Sequence, residues 1–317
     1  MEPVSNRWQV RLCLLALAAF AILSSVTCSP HGVLGPSGGW MPGTTPHFIL
    51  VGRTPRTYLL HVPPRDSAAA ADTLARYPLV LVLHGSSGNS DDIRQTTGMD
   101  SLSDSNGFIV AYPQGTDGSG IFPSDWNGGS CCGEALREHV DDVGFLAAVV
   151  AEISQNLPVD STRVFVAGFS SGAIMAYHVA CKLAPMINAI AVVSGSLQDA
   201  SCAPGKAVGV IAVHGTSDSE VPYYDASLTA PPTPVTGVAS TLPPSVQFWV
   251  VTDGCSGGTA NQQSPNVVRT SFTSCTGASV MLYTIQGGWH EWPTSTSDAP
   301  LSELDASKTI VQYFKSR

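Results

Sequence analysis

The sequence predicts an α/β fold: a mostly parallel sheet with helices on both faces. Three observations predict it. Short apolar, β-branched runs recur along the chain and end in glycine or a turn. Segments with helical periodicity fall between them. Several of the strand-like runs are apolar at successive residues, the mark of strands buried on both faces. Alternating units of this kind make parallel pairs through right-handed crossovers, which align the strand C-termini along one edge. Ligands bind at that edge in such sheets.

The chain opens with "MEPVSNRWQVR", which carries Arg7 and Arg11, and continues with the apolar run "LCLLALAAFAILSSV" (12–26). That run is shorter than the roughly 20 apolar residues of a membrane span. It predicts a secretory signal peptide over residues 1–27 and an exported, extracellular protein with no stable membrane span. Residues 28–46 are rich in Gly and Pro without apolar periodicity and read as a disordered spacer. Residues 47–317 then form one α/β domain.

Within that domain "TYLLHV" (57–62) alternates like an early strand. "PLVLVLHG" (78–85), "FIVAYPQG" (108–115), "RVFVAG" (163–168), "AIAVVSG" (189–195), "VGVIAVHG" (208–215) and "VMLYTIQGG" (280–288) follow as further strands. Between them, "VDDVGFLAAVVAEISQNL" (140–157) sets Val143, Leu146, Val150 and Ile153 at helical spacing. "SGAIMAYHVACKLA" (171–184) does the same with Ile174, Tyr177 and Cys181, and "LSELDASKTIVQYFKSR" predicts a capped terminal helix. A Pro-rich insert over 219–245 interrupts the pattern, and a loop of that length is functional or disordered.

Charged residues are 12% of the chain and the formal net charge is −9, with no Lys/Arg run. This excludes the electrostatic footprint of a nucleic-acid binder. Oligomeric state is not encoded in any such feature. Eight cysteines are present; Cys13 and Cys28 lie in or beside the leader. The other six predict disulfides in an exported chain. We expect Cys255 to pair with Cys275, and Cys131 and Cys132 to pair outward with Cys181 and Cys202. No C-x-x-C or H-x-x-x-H spacing points to zinc, so no metal is expected.

The pattern G-x-S-x-G occurs three times, around Ser37, Ser170 and Ser256. Ser37 sits in the Gly/Pro spacer. Ser256 follows "SVQFWVVTDGC", which reads as a helix and turn, and precedes a polar loop, "TANQQSPN". Only Ser170 has a strand before it and a helix after it, the context a nucleophile turn requires. Such a turn exposes the serine oxygen at the sheet edge, and the backbone N–H of Ser171 faces a developing oxyanion. A serine needs a base to take its proton. His178, His214 and His290 follow it. His178 lies within the next helix and His214 beneath a loop; His290, after "TIQGGW", fits best. The acid belongs after an earlier strand, where Asp218 in "VHGTSDSEVPY" is the candidate, with Glu220 and Asp225 as rivals. The loop "VLHGSSG" is positioned to supply a second oxyanion donor, the N–H of Ser86, with His84 and Gly85 shaping it. Trp126 and Trp289 are candidates to wall an aromatic acyl pocket, and Tyr223 and Tyr224 to add a lid.

Taken together, "LVLVLHGSSGN", "FIVAYPQG", "DWNGGSCCG", "VDDVGFL", "RVFVAGFSSGAIMAY", "HGTSDSEVPY" and "YTIQGGWHEWP" resemble secreted esterases of the polyhydroxybutyrate depolymerase and feruloyl esterase group. The resemblance runs from about Thr57 to the C-terminus. It implies the α/β-hydrolase fold, Ser170, Asp218 and His290 as the triad, an ester substrate and no cofactor. Many members carry Asn at the position of Ser171 and Gly at that of Ala173; neither side chain is required, since the donor is a backbone N–H. The expected substrate is a feruloyl or acetyl ester of xylan, with a short hydroxyalkanoate polyester as the alternative. A non-catalytic secreted binding protein on the same fold is the reading from another class.

Overall fold

The computed structural model describes residues 41–65, 75–116, 124–224 and 242–317. The expected signal segment, residues 28–40 of the spacer (with Ser37), and the 225–241 portion of the Pro-rich insert (with Asp225) lie outside them.

The strands in chain order are β1 (Gly43–Val51), β2 (Thr54–Val62), β3 (Tyr77–Leu83), β4 (Ile109–Pro113), β5 (Val159–Phe169), β6 (Ala189–Val193), β7 (Gly209–Gly215), β8 (Thr259–Ser264), β9 (Val267–Phe272) and β10 (Val280–Ile285). They form one sheet in the order β1-β2-β4-β3-β5-β6-β7-β10-β9-β8. From β4 across to β10 every neighbouring pair is parallel. Antiparallel β1 and β2 extend one side, and antiparallel β9 and β8 the other. The sheet is therefore mostly parallel at its centre, as the apolar runs predict.

The helices are α1 (Ser90–Thr97), α2 (Met99–Asn106), α3 (Gly133–Arg137), α4 (Asp142–Asn156), α5 (Ser171–Lys182), α6 (Pro244–Thr252) and α7 (Ala306–Lys315). Strand side chains alternate between two cores. Leu79, Leu81 and Leu83 of β3 join Phe145 and Val149 of α4, Met175 and Val179 of α5, and Trp249 of α6. Val80 and Val82 point the other way, toward Ile93 of α1, Met99 at the start of α2, and Ile310 and Phe314 of α7. Each fully buried Leu or Val adds about 1.5–3 kcal/mol of hydrophobic stabilisation. Asn89, Asp141 and Asp305 cap α1, α4 and α7 with their side chains. Helix α5 has no side-chain cap.

Three expectations need correction. The sheet begins at Gly43, inside the stretch read as spacer, because Thr44 to Leu50 pair with β2 despite the local Pro and Gly. "TANQQS" is strand β8, not a loop. It is polar because it is the exposed outer strand of the sheet, where only backbone pairing to β9 is needed. The cystines also differ. Cys255 pairs with Cys275 as expected, but Cys131 pairs with Cys132, and Cys181 with Cys202. Cys131 and Cys132 lie near Ile174, close to the start of α5. Cys181 is two turns further on, about 10 Å along the axis. A disulfide needs Cα atoms within about 7 Å. The Cα of Cys202, at 5.1 Å from that of Cys181, meets this limit.

Candidate active site

The site is built at the turn between β5 and α5. Ser170 has φ 54° and ψ −123°, a conformation that a side chain rarely adopts. A kink this tight costs of order 1–3 kcal/mol and survives only where surrounding structure holds it. Both ends are held. Ser170 N donates to Val193 O at 3.0 Å, and Ser170 O accepts from Ala173 N and Ile174 N at 2.9 and 3.0 Å. Glycine is needed on either side of the kink. A Cβ on Gly168 would collide with the backbone of Gly172, and one on Gly172 with the carbonyls of Leu83 and His84. The helix therefore starts hard against β3, with Ser170 at its mouth.

Two loops bring the partners. The loop after β10 carries His290, whose Nε2 lies 2.9 Å from Ser170 Oγ. The loop after β7 carries Asp218, whose Oδ2 lies 2.9 Å from His290 Nδ1. Asp218 Oδ1 accepts from Glu220 N and Val221 N at 3.0 and 2.9 Å. Burial works against charge on this carboxyl, but hydrogen bonds from His214, His290 and Val221 N–H outweigh it and hold the carboxyl well below the usual carboxylate range. Asp218 is thus ionised and only accepts. His290 must carry its proton on Nδ1, which leaves Nε2 free to accept from the Ser170 hydroxyl. His214 braces the loop from below: its Nε2–H donates to Val221 O at 2.8 Å and lies 3.4 Å from Asp218 Oδ2. Of the rival acids, Glu220 offers its backbone N–H to Asp218 and not its carboxylate to His290.

The loop after β3 forms the opposite lip. His84 is buried, which pushes its imidazole below the ordinary value and keeps it neutral. Its Nε2 accepts from Gly115 N at 2.9 Å, so its Nδ1–H donates to Gly85 O at 2.7 Å. Gly88 N also donates to Gly85 O, at 3.0 Å.

Between these lips lies a pocket of about 800 Å³. Ser86, Ser170, Ser171 and His290 line it, together with an apolar wall of Phe169, Ile174, the Cys131–Cys132 pair and Trp289. Trp289 is 37% exposed. One expected wall residue and one expected lid residue are elsewhere. Trp126 is fully buried, and its indole N–H donates to His84 O at 2.9 Å, so it supports the β3 loop from beneath. Tyr223 is buried, with its hydroxyl 2.7 Å from Thr284 Oγ1. Burial pushes that phenol up to about 12. An aromatic residue type does not reveal which way its ring faces. Conversely, Phe169 and Gln198 line the pocket with no sequence signal, and so does Ile174, which the helical spacing marks only as part of an apolar face. Ile174 could have been found, since it stands four residues after Ser170 on one helix face. Among the described residues no cluster of three or more His, Cys, Asp or Glu is arranged to hold a metal.

Residues 56–243, more than half of the chain, match the family described as esterase PHB depolymerase. The chain belongs to that family. Among relatives of this esterase, NocK of Nocardia uniformis subsp. tsuyamanensis is 29% identical over 270 residues, 80% of this chain and 75% of NocK. Feruloyl esterase B of Piromyces equi is 29% identical over 220 residues, 67% of this chain but only 39% of that protein's length. Among solved structures, an acetyl xylan esterase from Aspergillus awamori superposes with a TM-score of 0.57 at 17% identity, covering 83% of this chain and 94% of that one. At that identity the likeness is one of fold, the α/β-hydrolase fold.

Proposed function

We propose that this esterase acts through an acyl-enzyme on Ser170. The carrying observation is the unbroken chain Ser170 Oγ, His290, Asp218, with both links at 2.9 Å. His290 Nε2 takes the hydroxyl proton as Ser170 Oγ attacks the ester carbonyl. Ionised Asp218 stabilises the imidazolium and holds its tautomer. The imidazolium then gives its proton to the departing alcohol. Water, activated by the same ring, releases the acid.

Two backbone donors stabilise the tetrahedral oxyanion. Ser171 N–H is the first of helix α5, whose start has no side-chain cap to occupy it. The second is Ser86 N–H. In a trans peptide the C=O and N–H point in opposite directions. Gly85 O is turned back to His84 and Gly88 N, so Ser86 N–H on the same peptide unit faces away from them. Removing one such donor costs about 2.7–4 kcal/mol in the rate-limiting barrier.

The substrate we favour is a feruloyl or acetyl ester of xylan. A pocket of about 800 Å³ with an apolar wall accommodates an aromatic acyl group, and the relative named feruloyl esterase supports the choice. A hydroxyalkanoate polyester is the second reading, favoured by the name of the family. The protein acts outside the cell: three cystines suit an oxidising compartment, and the apolar run at 12–26 suits an export signal. Among the described residues no helix is long and apolar enough to cross a membrane.

A panel of p-nitrophenyl acetate, methyl ferulate, acetylated xylan and hydroxybutyrate oligomers tests the proposal with wild type and Ser170→Ala. Methyl ferulate and acetylated xylan should be cleaved fastest, and Ser170→Ala should cleave none. Undiminished activity in the variant would refute the acyl-enzyme, and a preference for the oligomers would transfer the substrate to the polyester reading.

A further inference from the structure

We infer that Asp125 is a positioning residue for the reaction, acting through the side chain of Ser86. The inference rests on the acyl-enzyme reading above. Asp125 is buried, and its carboxylate joins the segment before α3 to the loop after β3. Its Oδ2 accepts from Ser86 Oγ–H at 3.0 Å, and its Oδ1 accepts from Trp126 N at 2.9 Å. Its own carbonyl accepts from Thr116 N at 3.0 Å, which fixes the residue from the β4 side.

The surrounding bonds show why this one matters. The β3 loop is strapped to the segment before α3 at several points. Trp126 Nε1 holds His84 O, Ser87 N donates to Ser124 O at 2.9 Å, and Ser124 Oγ donates to Gly88 O at 2.6 Å. The Ser86 side chain is otherwise at an exposed position. His84 and Gly88 hold the Gly85 O side of the peptide, and the Asp125 tether couples the Ser86 side to the buried framework, so that together they set the direction of Ser86 N–H. A charge-assisted O–H···O⁻ bond is about twice as strong as a neutral one, which suits it to this task. The tether also commits the Ser86 hydroxyl proton to Asp125, leaving the backbone N–H as the donor directed at the oxyanion. A misplacement of about 1 Å in such a donor costs up to a hundredfold in rate.

A double-mutant cycle in the full-length protein tests this, read as kcat and KM on p-nitrophenyl acetate with Tm measured alongside. Asp125→Ala should lower kcat roughly ten- to hundredfold with KM within about twofold. Ser86→Ala keeps the backbone N–H and should lose as much as Asp125→Ala. The double variant should lose no more than either single one, since both cut the same bond. Asp125→Asn leaves one acceptor oxygen where two are used and removes the charge, so its kcat should fall between those of wild type and Asp125→Ala. Full kcat in Asp125→Ala, losses that multiply in the double variant, or a loss confined to KM would overturn the proposal. If Asp125→Ala does not fold, Ser86→Ala decides alone, and full kcat there overturns it. An active Ser170→Ala would overturn the acyl-enzyme reading and this inference with it. An inactive Ser170→Ala beside a fully active Asp125→Ala would overturn this inference alone.

Discussion

Helix α5 has a histidine–carboxylate pair near each end. Beside its N-terminus, His290 Nδ1 lies 2.9 Å from Asp218 Oδ2. Toward its C-terminus, His178 Nδ1 lies 3.1 Å from Asp199 Oδ2. Residue types and distances are nearly the same, yet the surroundings diverge. Asp199 also takes Lys182 Nζ at 3.0 Å and both the N–H and hydroxyl of Ser201. The nearby serine is therefore bonded to the acid and not to the imidazole. At the other end the serine is bonded to the imidazole, on a strained turn that opens into a pocket. A His–Asp pair is thus common structural material. The third partner and the open space beside it separate a site from a clasp.

The largest expected effects break or support this contrast directly. Ser170→Ala and His290→Ala should each lower kcat at least a thousandfold on p-nitrophenyl acetate. His178→Ala should leave kcat within a few-fold while lowering Tm, because it only releases the loop that carries Asp199 and Cys202. Equal losses from His178→Ala and His290→Ala in steady-state assays would erase the distinction. Next in size, Asp218→Asn should cost about a thousandfold or more in kcat, through loss of the tautomer that points Nε2 at Ser170. Asp199→Asn should cost almost nothing in the same assay.

A smaller effect concerns the pocket. Trp289→Ala should raise KM several-fold for methyl ferulate and leave p-nitrophenyl acetate nearly unchanged, since only the aromatic acyl group reaches that wall. The smallest concerns pH. Burial holds His178 below its ordinary value near 6.5, so the folded state resists a proton that the unfolded chain accepts. Stability is then present above about 6.5 and falls as pH drops from there toward the folded-state value. Thermal melts at pH 7.5 and 5 should show a smaller drop in Tm for His178→Gln than for wild type.

Much of this architecture is legible in the residues. The central strands are apolar on successive positions because both faces are covered, so "PLVLVLHG" and "VGVIAVHG" announce themselves. Strands with an open face do not. β8 consists of Thr, Ala, Asn, Gln and Ser, all of them tolerated because backbone pairing to β9 suffices. The short α1, "SDDIRQTT", buries little beyond Ile93 and is carried by its Asn89 cap, so its apolar signal is faint. The Ser170, His290 and Asp218 set is legible because strand-end loops place it in a required order. The pocket wall is not. Whether Trp126 or Trp289 faces the cavity depends on the path of two loops across the sheet edge, and no local pattern encodes that path. The vicinal Cys131–Cys132 pair is hidden for the same reason: which cysteines meet depends on that loop path, and the expected partner Cys181 sits toward the far end of α5.

The claim that one serine carries the acyl group is most directly tested with diethyl p-nitrophenyl phosphate, which forms an Oγ–P bond and expels p-nitrophenolate. Intact and peptide mass spectrometry should find one diethylphosphoryl group per chain, on the peptide containing Ser170, with activity lost in proportion to labelling and no adduct in Ser170→Ala. An adduct on another residue, or activity that persists at full labelling, would contradict the account.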